Sequence, residues 1–201
     1  GPYRGAGIKG NAQSYFFKLT QPLIQTANSD LFFYAGYNYE KANTSGEGLV
    51  GREYISDYNL HVLRTGFYGM TDDNYGRWLG NLGFDFGIGG DSRATTFSGD
   101  TTFFKIGANV TRAQRLFARS MGVVRLGGQY SPNKLFTAEQ LQVGGPYTLR
   151  GYQPAEVIGD YGISGVILLS ENEKSIELDT FLLSCRVLGR RVENAVLAYL
   201  L

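Results

Sequence analysis

At 201 residues the chain has room for a single all-β domain or a section of a larger one. Its 28 glycines, 14 tyrosines and 13 phenylalanines, against five prolines, favour aromatic-bearing strands over a low-complexity linker. A net charge of +1 with scattered basic residues gives no basis for capturing nucleic acid. One cysteine (Cys185) and one histidine (His61) exclude an intrachain disulfide, a Cys-rich metal site and a multi-histidine metal site. His61, between Leu60 and Val62, reads as an ordinary strand side chain.

In chain order, strands are expected at about 14–24, 30–42, 53–69, 78–89, 103–111, 124–130, 161–170 and 174–188, with a last one at 192–201. The clearest alternation runs from Trp78 to Gly89. Trp78, Gly80, Leu82, Phe84, Phe86 and Ile88 form an aromatic face, opposed by Asn81, Gly83, Asp85 and Gly87. Phe104, Ile106, Ala108 and Val110 repeat it against Lys105, Gly107, Asn109 and Thr111; Val124, Leu126 and Tyr130 oppose Arg125, Gly127 and Gln129. Turns are expected at Thr26–Asp30, Asn43–Gly51, Thr71–Tyr75, Gly89–Thr101 and Gln114–Phe117. No segment carries a helical period, so the fold class is all-β.

No apolar run reaches the roughly 18–20 residues of a transmembrane helix, and the first residues lack a signal-peptide pattern. Transmembrane β-strands need only about 9–11 residues each, so a membrane barrel stays open. Strands longer than the usual five or six residues, tyrosines near strand ends and a polar face of glycine and mixed charge favour an antiparallel up-and-down transmembrane barrel. The competing architecture is a soluble β-sandwich that binds carbohydrate or protein, with the aromatic face buried between two sheets.

Small motifs weigh less. Gly5-Ala-Gly-Ile-Lys-Gly10 matches G-x-G-x-x-G but has neither a preceding strand nor a following helix, so its glycines are expected in a turn. The sequons at Asn43 and Asn109 are matches of pattern alone. Asp72 and Asp73 read as a solvated turn, short of the oxygen ligands calcium requires. No metal, cofactor or catalytic residue is expected. The distinctive stretch is Leu141-Gln-Val-Gly-Gly-Pro-Tyr-Thr-Leu-Arg-Gly-Tyr152, a single cation among glycines in a connection far longer than strand pairing needs.

The ordered motifs Phe103–Leu116, Val123–Tyr130, Glu139–Gly145, Leu149–Tyr152 and Gly159–Gly162 together resemble the transporter component of bacterial two-partner secretion systems. This component is of the hemolysin secretion/activation type, within the BamA-like superfamily. The resemblance implies a 16-stranded outer-membrane barrel preceded by periplasmic POTRA domains, which exports a hemolysin or adhesin. The alternatives within this fold are a BamA-like insertase or a passive pore. It implies that residues 1–201 are a partial barrel domain of about nine strands, with a lumen loop at about 131–160. In it Leu149, Arg150, Gly151 and Tyr152 form the lumen motif and Gly144 and Gly145 permit tight bends.

The family's arginine meets a wall aspartate, but here Leu183 stands at that place and Cys185 replaces the wall glycine. Asp179 or Glu177, on the same strand face, is the expected substitute partner for Arg150. Asn81, Asp85, Lys105, Asn109, Arg125 and Gln129 are expected to line the lumen. A secreted exoprotein and outer-membrane lipid are the expected partners. Nine strands against 16 would leave unpaired edges that lipid does not tolerate, so a section of a larger barrel is expected.

Overall fold

The computed structural model describes residues 9–48, 51–93, 99–116, 120–143 and 157–171. Nine strands occur among them: β1 (Lys9–Gln25), β2 (Ser29–Gly48), β3 (Gly51–Asp73), β4 (Gly76–Gly89), β5 (Thr102–Arg115), β6 (Ser120–Tyr130), β7 (Leu141–Val143), β8 (Val157–Gly159) and β9 (Gly162–Glu171). Seven form one antiparallel meander in the order β1-β2-β3-β4-β5-β6-β9, and β7 pairs only with β8. The sheet is open at β1 and β9 among the described residues, as a section of an up-and-down barrel would be. The strands expected at 174–188 and 192–201 lie outside the described residues, as do Asp179, Glu177 and Cys185.

The first seven sequence strands occur in their places but run further than composition suggests. The stretch 43–51 reads as a turn by its Asn, Ser and Gly content, yet β2 and β3 stay paired as far as Gly48↔Gly51. Backbone pairing in a continuous ladder satisfies every N–H and C=O whatever the side chains, and so overrides a weak turn preference. For the same reason Thr71–Tyr75 shrinks to a turn at 74–75, and β5 continues to Arg115. Gly10 lies in β1 rather than in a turn. The short β7–β8 hairpin has no alternation long enough to betray it.

The two faces differ in what covers them. Even positions of β4 and β5 point to one side with the odd positions of β2 and β3. Among the described residues this outer face stays bare, with Leu63, Phe86, Ile88, Val110 and Leu126 each more than a third exposed. From Trp78 to Ile88 it extends roughly 33 Å along the strand, or about 25 Å at a tilt near 40°, the height of a barrel's apolar band. At one margin sit Tyr37 and Tyr39 around His61, whose Nδ1 is 2.5 Å from the Tyr37 hydroxyl; at the other sits Trp78. The sandwich alternative would bury this face. Instead the buried apolar cluster lies on the polar side: Tyr58, Leu60, Val62 and Phe103 under Leu135 and Phe136. On that side Tyr34 reaches over paired Gly66 and Gly83, where an added Cβ at either would come within 2.9 Å of its hydroxyl.

Candidate functional site: a charged cluster under the inner segment

Cross-strand register assembles the centre of the inner face. Arg64 on β3 pairs with Asp85 on β4, and Asp85 with Lys105 on β5, so three charges alternate in a row. Arg64 Nη1 donates to Asp85 Oδ2 at 2.8 Å, and Lys105 Nζ lies 3.1 Å from the same oxygen. Glu40 of β2 adds a carboxylate 3.7 Å from Arg64 Nη2, itself held by Asn38 Nδ2 at 2.6 Å. With Glu40 the two cations and two carboxylates balance, and chain from beyond β6 brings a further counter-charge that Arg64 and Lys105 share.

That counter-charge is Glu139, with a side chain only 1% exposed. Arg64 Nη2 donates to its Oε1, and Lys105 Nζ donates to its Oε2 at 2.5 Å and to its carbonyl at 3.2 Å. A carboxylate buried this deeply is tolerable only when cations and hydrogen bonds replace its hydration. The segment carrying it, Ser131–Gln140, crosses the inner face as a compact turn in which Phe136 O accepts from the amides of Glu139 and Gln140. Its apolar anchors are Leu135 and Phe136. The Phe136 ring stacks on Tyr58 at 4.3 Å between centroids. Polar ties fix the rest: Asp160 Oδ1 accepts from Leu135 N and Gln140 Nε2, both at 2.9 Å, and Gln129 Nε2 donates to Glu139 O at 3.1 Å.

The sequence-derived candidates fall into three groups. Asp85, Lys105 and Gln129 are in the cluster or bound to it. Asn81, Asn109 and Arg125 share the same face closer to the short turns, with Asn109 Nδ2 donating to Asn81 Oδ1 at 3.1 Å. Gly144, Gly145, Leu149, Arg150, Gly151 and Tyr152 follow β7 directly in sequence and lie outside the described residues. Arg64, Glu40 and the anchors Leu135 and Phe136 are additions. Their signal was present: Tyr58, Leu60 and Val62 are apolar at the positions in phase with Arg64, a greasy half-strand on a face that should be polar. Glu139 stands in the resemblance motif Glu139–Gly145, which by itself points to no partner for it.

The short turns carry a second charged network. Asp72 accepts two hydrogen bonds from Arg77, at 2.6 and 2.7 Å, so its carboxylate is satisfied by arginine as well as by solvent. Asp73 accepts from Arg112 at 2.7 and 3.0 Å and from the amides of Tyr75 and Gly76.

A family model described as haemolysin secretion/activation protein ShlB/FhaC/HecB matches residues 2–165. Among solved structures, CdiB from Escherichia coli is similar at a TM-score of 0.68 and 18% identity, over 84% of this chain and 32% of that one. CdiB from Acinetobacter baumannii is similar at 0.65 and 15%, over 84% of this chain and 30% of that one. The chain thus spans about a third of the length of these structures, and at such identities the likeness carries the fold alone. No curated protein sequence matches it. With a match over more than half its length, the chain belongs to the ShlB/FhaC/HecB haemolysin secretion/activation family.

Proposed function

We propose that the chain forms wall and inner plug of an outer-membrane pore that exports a large exoprotein by two-partner secretion. Family membership places it among Gram-negative outer-membrane barrel proteins. The observation that carries the export reading is the contrast of faces: an apolar outer face with nothing packed on it among the described residues, and an inner face of alternating charge held under Ser131–Gln140. Residues 1–201 read as one section of a barrel, with 131–160 inside it. The lumen-lining residues are Asn81, Asp85, Lys105, Asn109, Arg125 and Gln129. Of these, Asp85, Lys105 and Gln129 hold the segment, which leaves Asn81, Asn109 and Arg125 to face moving substrate. Residue types here support passage of unfolded chain without covalent chemistry, so the protein acts as a conduit and not as an enzyme.

Expression of the full-length protein with its exoprotein partner tests this. Export to the medium that depends on it supports the reading. Ion conductance in bilayers without export, or barrel assembly defects on its loss, favours the passive pore or the insertase.

Arg150 is proposed to pair with Asp179 or, one strand repeat away, Glu177, in place of the aspartate that Leu183 displaces. In a double-mutant cycle, Arg150→Ala and Asp179→Ala should cost together less than the sum of the single losses. Strict additivity with both carboxylates removes the pairing.

A further inference from the structure

We infer a lipid site on the outer face: a hollow over Gly69 and Gly80 that takes one acyl chain of a phosphatidylethanolamine. The lipid's headgroup lies at the Arg112–Asp73 pair. The inference goes beyond export and concerns a surface that export does not use.

Gly69 and Gly80 are cross-strand partners on β3 and β4, so two neighbouring strands lack side chains at one spot. The hollow is about 450 Å³, within the range of small-ligand pockets, and is walled by Leu31, Phe67, Leu82, Val110 and Trp78. The two glycines have different reasons to be there. A Cβ on Gly69 would lie 2.3 Å from Asp30 O, so backbone approach demands glycine. A Cβ on Gly80 would meet only Asn109 O, at 3.7 Å. Glycine inside a strand costs roughly 0.5–1 kcal/mol against alanine, so nothing local favours it at Gly80. What it does is keep the hollow open.

Lipid tails are as apolar as the walls, so burial from water gives no preference between occupants. Shape does, because an unfilled hollow forfeits dispersion contacts on every wall. The margin at Trp78 supplies selectivity. The Arg112 guanidinium lies 4.9 Å from the Trp78 ring centroid and 2.7 Å from Asp73. The Ser29 and Thr71 hydroxyls, 2.6 Å apart, line the same end. This margin offers one cation beside one anion. A zwitterionic headgroup satisfies both, phosphate to Arg112 and ammonium to Asp73, whereas the anionic phosphatidylglycerol headgroup brings Asp73 only neutral hydroxyls in place of a cation. Short turns mark the periplasmic end of outer-membrane barrels, which puts this margin in the inner leaflet.

Trp78 is the chain's only tryptophan and serves as the reporter. The full-length protein, with any other tryptophan replaced by phenylalanine, is reconstituted in phosphatidylethanolamine–phosphatidylglycerol vesicles with one lipid brominated on its acyl chain. Brominated phosphatidylethanolamine should quench Trp78 beyond random mixing, with roughly a threefold preference over phosphatidylglycerol, a modest but measurable ratio. Gly80→Phe, which fills the hollow, should abolish the preference, and Leu126→Phe, on the same face outside it, should not. Quenching of the wild type that follows random mixing, a preference for phosphatidylglycerol, or a preference that survives Gly80→Phe overturns the inference. Native mass spectrometry of the protein with its natural tryptophans gives a second reading: one phosphatidylethanolamine retained by the wild type and lost in Gly80→Phe supports it, and equal retention refutes it. Neither result bears on export, which is scored by secretion.

Discussion

Glu139 is the residue on which the inner segment turns. Its carboxylate has given up water for Arg64 and Lys105, so removal of one cation leaves charge behind that solvent cannot reach. Arg64→Ala should therefore cost about 3–5 kcal/mol in urea unfolding from detergent micelles. Arg64→Ala with Glu139→Ala should cost at least ~1 kcal/mol less than the sum of the two single losses, because the second change removes the stranded partner. Asp73 lies at the opposite extreme of exposure, beyond Trp78 and outside the apolar band. Hydrogen bonds from Arg112, and then from the Tyr75 amide, hold its carboxyl down at about 2. A depressed folded-state value adds stability at high pH. The advantage of the wild type over Asp73→Asn should be complete above the ordinary value of 3.8 and disappear as pH falls through about 2. Thermal unfolding of both proteins from pH 7 to pH 2 checks this; a gap that persists at the acid end counts against the pairing.

Among elements, Ser131–Gln140 has no regular secondary structure and is nonetheless among the best-anchored parts of the inner face. Leu135 and Phe136 are at most 2% exposed, which no loop on an open polar wall achieves unless the wall beneath it is apolar. Phe136→Ala should remove about 3–5 kcal/mol of local packing and free the segment, while the barrel around it stays folded. The expected readout is higher and noisier single-channel conductance in planar bilayers, with unchanged heat-modifiable migration on gels; unaltered conductance would mean the segment does not restrict the pore. Strand positions were legible in the sequence because period-two alternation is strict where one face is apolar and the other polar, as in Trp78–Ile88. The segment was not, since its contacts join residues 75 apart, as Arg64 and Glu139 are, and no local pattern encodes such a pairing. Only the apolar phase of Tyr58, Leu60 and Val62 hinted that something covered them.

For the molecule as a whole, the resemblance motifs drew attention to Arg150, whereas the described cluster is built on Arg64. Glu139 and Arg150 both belong to the one connection between β6 and β9, so the wall is gripped near the base of that connection by Glu139 and, on the proposal above, again by Arg150. The seven strands of the main sheet follow one another without a crossover up to β6 and resume with β9, so nearly all pairing is between chain neighbours and can form hairpin by hairpin. The inner segment is different: its apolar seat needs β3 and β5 already side by side, and its counter-charges need β4 between them. It can therefore dock only once that part of the wall exists, and its ties to Gln129 and Asp160 complete the seat. On the proposed reading, a wall that assembles in this order carries its inner segment as soon as it is built.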